Sequence, residues 1–166
     1  MNIINLTKIL LFYIISYFSI VVIYMPYANE NLKYIIPLIE ASFIFYFYIY
    51  NDKKPLLIFL LIISIIIDGI NNYQIGTNAL IYFLAVKIFQ FKSKLFIYST
   101  FKETWFVFII FLTELFLIKL LAIYYINNNV INFEILFINF IATVITYPIF
   151  HNYYYYLNKL QNKKEI

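Results

Sequence analysis

Cysteine is absent from this 166-residue chain, and so is arginine. Without cysteine there is no disulfide framework and no thiolate chemistry. Only two glycines occur, Gly69 and Gly76, too few for a glycine-rich phosphate loop. A single histidine, His151, cannot build a histidine metal site. Charge is scarce as well, at 12% of residues, where a soluble domain carries about 25%. What remains is 64% apolar, with a mean hydropathy of +0.85. There is too little polar surface to coat a globule of this size, so the chain reads as an integral membrane protein with several spans. These absences also predict no enzyme, no cofactor and no metal.

All 12 basic residues are lysine, alongside 35 Ile, 16 Asn, 19 Phe and 18 Tyr. These are the amino acids of AT-rich codons, which points to an AT-rich genome. Asparagine runs and aromatic stripes therefore carry less chemical information than they would elsewhere. A basic balance suggests nucleic acid in a soluble protein. In a membrane protein it marks the cytoplasmic loops instead, so no nucleic-acid partner is expected.

Six apolar runs follow one another, predicting spans at approximately 9–26, 34–50, 55–70, 75–91, 105–126 and 130–157 in one six-helix domain over 1–166. The first is too long for a signal-peptide core and has no small-x-small cleavage site after it. Pro55 suits the first position of the third helix, where a missing N–H costs nothing. The lysines test the topology independently. With both termini on one side, Lys8, Lys53, Lys54, Lys87, Lys92, Lys94, Lys102, Lys159, Lys163 and Lys164 share that side. The other side holds only Lys33, and Lys119 lies inside the fifth span. The positive-inside rule then puts both termini in the cytoplasm. A membrane barrel would require alternation of polar and apolar residues, and Leu56 to Ile67 shows none. The expected fold is thus all-α and polytopic, with six transmembrane helices, the helix being the element that satisfies its own backbone in lipid.

Ionisable residues inside spans are the natural functional candidates. Glu40 reads as a protonated or hydrogen-bonded carboxyl between helices. Asp68, at the outer end of the third span, reads as a cap or turn acceptor, with a ligand or partner contact as the alternative. Glu114 and Lys119 stand about 140° apart around one helix and cannot pair well. Glu114 is expected to bond a neighbour such as Ser64 or Asn139, and Lys119 to snorkel to the outer end. Pro148 should kink or soften the last span. His151 reads as a hydrogen-bonded interface residue, and Tyr153 to Tyr156 as an aromatic belt.

The most informative composite is Asp68-Gly69, then Asn71 to Gln74, then Ile75-Gly76-Thr77-Asn78-Ala79-Leu80. It reads as helix, acidic turn, helix. Gly76 and Ala79 give the fourth span a small face for close backbone approach, and Asn78 can hydrogen-bond across to a neighbour. This pattern resembles the rod shape-determining protein MreD family, in which a hydrophobic helix ends in Asp and Gly-x-Asn-Ala-Leu follows. Pro37 and the aromatic run Phe43 to Tyr50 are similar to that family's second span. Lys92 to Trp105 is similar to the basic, aromatic loop of alphaproteobacterial members. Ala142-Thr143-Val144, Tyr147-Pro148 and Lys159-Leu160-Gln161 are similar to its last span and tail. Ser64 stands where the family commonly has a glycine, and its turn commonly has a Gly and a Pro near Asn72 and Gln74.

The resemblance implies a non-enzymatic inner-membrane subunit of the cell-elongation (rod) complex. Such a subunit helps maintain cell shape by linking the bitopic protein MreC, MreB filaments and the peptidoglycan synthases. Asp68, Gly76, Asn78, Ala79 and Pro148 would then be packing or partner-contact residues, with Glu40 and Glu114 as buried polar groups. The alternative is the substrate-binding membrane subunit of an energy-coupling-factor vitamin transporter, a six-helix fold that the MreD family resembles. There Glu40, Asp68 and Asn78 would line a pocket. Ile9 to Met25 contains no alanine, which argues against the alanine-rich docking pattern of those subunits.

Overall fold

The computed structural model describes Ile14 and residues 37–50, 61–69, 74–96, 100–126 and 133–162. The rest of the expected first span lies outside the described residues. So do 34–36, 55–60, the polar breaks at 51–54, 71–73 and 127–129, and the last residues of the tail, 163–166.

No strand occurs among the described residues. The described helices are α1 (Ile39–Tyr50), α2 (61–69), α3 (Thr77–Lys92), α4 (Phe101–Ile126) and α5 (Phe133–Asn162). A 3₁₀ turn at Ser93–Leu95 follows α3.

Helix α1 is apolar nearly all round, with Glu40 and Ser42 as its exceptions, and such a helix belongs in the interior. Every residue from Leu38 to Phe47 is buried. One ring holds the bundle together: Phe45 packs on Phe89 of α3, on Phe108 and Phe111 of α4, and on Tyr147 of α5, at centroid separations of 5.2–5.9 Å. Phe108 and Tyr147 stack beside it at 3.9 Å.

Side-chain pairs give the helix directions. Glu40, Phe45 and Tyr48 of α1 meet Tyr82, Phe89 and Ser93 in turn, so α1 and α3 run parallel. Leu38, Phe45 and Tyr46 meet Thr143, Tyr147 and His151, so α5 runs the same way. Phe101, Phe108 and Phe116 of α4 meet His151, Tyr147 and Phe140, so α4 runs opposite to α5.

Two helices are long and apolar enough to cross a membrane, Phe101–Ala122 and Phe133–Tyr156. A core helix of a soluble protein can pass the same test, but it is mostly buried. Here only 33% and 11% of the most apolar stretch of each helix is buried within the chain.

Three helix ends differ from the sequence expectation by four residues or more. Helix α4 starts at Phe101 rather than 105 because Thr100 and Glu103 form a capping box. The Thr100 N–H donates to Glu103 Oε2 at 2.9 Å, and the Glu103 N–H to Thr100 Oγ1 at 3.3 Å. Helix α1 starts at Ile39 rather than 34. The Leu38 N–H donates to the Thr143 hydroxyl at 2.8 Å, so the N-terminus of α1 is capped by α5, beside the middle of that helix. Helix α5 continues to Asn162, past the expected 157, and Pro148 lies within it.

Candidate functional site

The tightest polar constellation closes the hairpin between α2 and α3. Asp68 sits in the last turn of α2 and is fully buried. Its Oδ2 accepts the Gly76 N–H at 2.7 Å. Its Oδ1 accepts the Asn78 N–H at 3.1 Å and the Asn78 side-chain amide at 2.7 Å. All three donors are N–H groups, and two belong to the first backbone positions of α3. Those positions have no intrahelical acceptor and carry the positive end of the helix dipole. The carboxylate therefore supplies from α2 the cap that α3 lacks on its own, since Gly76 at the N-cap has no side chain to offer.

Gly76 adopts φ 100°, ψ −9°, a left-handed conformation that L side chains resist. No atom lies within 4 Å of where its Cβ would be. The glycine is thus needed for its backbone angle, and the described residues make no close approach to it. The turn is fixed further by Gln74, whose carbonyl accepts both the N–H and the hydroxyl of Thr77 at 3.1 and 2.8 Å. Ala79 lies half-buried in the first turn of α3. The structure therefore brings Asp68, Gly76 and Asn78 into one clamp with Ala79 beside it.

Pro148 belongs to a different place. Proline has no N–H, so the carbonyl four residues earlier, that of Val144, has no intrahelical partner. The indole N–H of Trp105 on α4 donates to that carbonyl at 3.2 Å. The threonine hydroxyls nearby turn inward to their own helix: Thr143 to Asn139 O and Thr146 to Ala142 O.

Of the buried carboxyls, Glu40 lies between helices as a hydrogen-bonded group, with the Tyr82 hydroxyl donating to its Oε1 at 2.6 Å. Lys119, expected to snorkel outward, is partly buried. Glu114 departs from expectation. It pairs with Lys92 from the end of α3, not with Ser64 or Asn139. Its second oxygen and the Asn139 carbonyl oxygen are buried without a hydrogen-bond partner. The lysine stem is long enough to reach back along the helix surface, which residue spacing alone does not reveal.

His151 is enclosed by aromatic rings. Tyr46, Tyr50, Phe101 and Tyr147 lie within 5.0–5.9 Å of it, and the Tyr147 hydroxyl is 3.2 Å from Nδ1. Among the described residues no group of three or more His, Cys, Asp or Glu side chains could hold a metal ion.

The residues missed from sequence are Tyr82, Thr143, Trp105 and the Thr100–Glu103 box. Only the last had a readable signal, the Thr-x-x-Glu spacing ahead of an apolar run. Compared with protein families, curated proteins and solved structures, the chain matches none.

Proposed function

We propose that this chain is a non-enzymatic, multi-pass subunit of the bacterial inner membrane that serves the cell-elongation machinery, as the resemblance to the MreD family implies. The observation that carries the reading is the Asp68–Gly76–Asn78 clamp. The residues that make the resemblance, separated by eight and ten positions, are bonded to one another as a single built unit. Beside the clamp, at the start of α3, Gln74 and Ile75 are exposed and open to a partner.

Helix directions support the six-span arrangement. Helices α1, α3 and α5 correspond to the second, fourth and sixth runs, and they run parallel, with α4 reversed. Lys92 and Lys102 lie where α3 ends and α4 begins, the end assigned to the cytoplasm. The largely unburied apolar faces of α4 and α5 support lipid as their surroundings. Function then consists of packing against the spans of MreC, with MreB and the synthases engaged directly or through it. The transporter alternative is less well supported, because Asp68 and Asn78 bond each other and Glu40 is engaged by Tyr82.

The test is to tag the protein in its own host, extract it in mild detergent and identify co-purifying proteins by mass spectrometry. Recovery of MreC, with MreB or the elongation synthases, is the expected result. Recovery of an ATPase pair with a membrane coupling subunit would overturn the reading.

A further inference from the structure

We draw no further inference here: the strongest candidate, the exposed apolar face of α3 from Leu80 to Phe91 with Lys87 in its middle, carries none because nothing in the structure shows what covers it.

Discussion

The indole N–H of Trp105 donates to the carbonyl of Val144 across the α4–α5 contact. Two facts of local chemistry meet there. Pro148 cannot donate to that carbonyl, and in an apolar interior an unpaired carbonyl is costly. Trp105→Phe keeps the ring and removes the donor. It should lower stability by about 1–2 kcal/mol, read as helix loss on heating in detergent by circular dichroism. In Pro148→Ala the new N–H takes the Val144 carbonyl, so adding Trp105→Phe should then cost little. Equal losses in both backgrounds would show that the proline and the indole are not linked.

The Asp68 clamp makes a second prediction. Asp68→Asn keeps the size but replaces one acceptor oxygen with a donor, which then faces an N–H group. Hydrogen bonds to a charged group contribute about 1.5–3 kcal/mol, and the charge also favours the α3 N-terminus. Asp68→Asn and Asp68→Ala should therefore both lower the melting temperature. Hydrogen exchange should accelerate first at the amides of Gly76 and Asn78. Unchanged exchange at those two amides would remove the clamp from the account.

Gly76 separates backbone strain from docking. A Cβ there meets no neighbour, so Gly76→Ala and Gly76→Leu should destabilise alike, by about 1–2 kcal/mol, through the left-handed φ alone. Gly76→Asn enters that region more readily and should melt close to the parent. If the start of α3 is a partner surface, Gly76→Asn and Gly76→Leu should both lose MreC on co-purification while being expressed normally. Full recovery of MreC with both variants would move the partner surface elsewhere.

Helix identity was legible in the sequence because long apolar runs without alternation leave few other options. The depth of each helix in the bundle was not legible. Helix α1 and the stretch Phe133–Tyr156 of α5 are both apolar enough to read as span segments, yet α1 is enclosed and α5 buries few of its residues. With only 12% of residues charged, there is no polar stripe to mark an outward face. At the hairpin, Asp68 as a cap followed from residue type and position, and the three donors lie within ten residues of it. The partners of Glu40, Glu114 and Val144 lie 42, 22 and 39 positions away. Such pairs depend on helix direction and side-chain reach, and neither is written in local spacing.

Phe45 tests how much of the bundle rests on one ring. It is fully buried and touches side chains from three other helices. In a soluble core Phe→Ala costs about 3–5 kcal/mol, as lost transfer energy plus a cavity. In lipid the transfer part is small, because separated helices meet acyl chains as apolar as the core. What remains is packing, so Phe45→Ala should fall near or below the lower end of that range. Phe45→Leu, which refills most of the space, should cost less than half as much. The contrast with exposed Phe106 on α4 is the control: Phe106→Ala removes the same ring from a face with nothing to collapse onto it. Thermal melts in detergent should rank Phe45→Ala well below Phe45→Leu, and Phe45→Leu below Phe106→Ala. A Phe106→Ala variant as unstable as Phe45→Ala would mean that the outer face of α4 is packed against another helix, and the bundle centre would have to be redrawn.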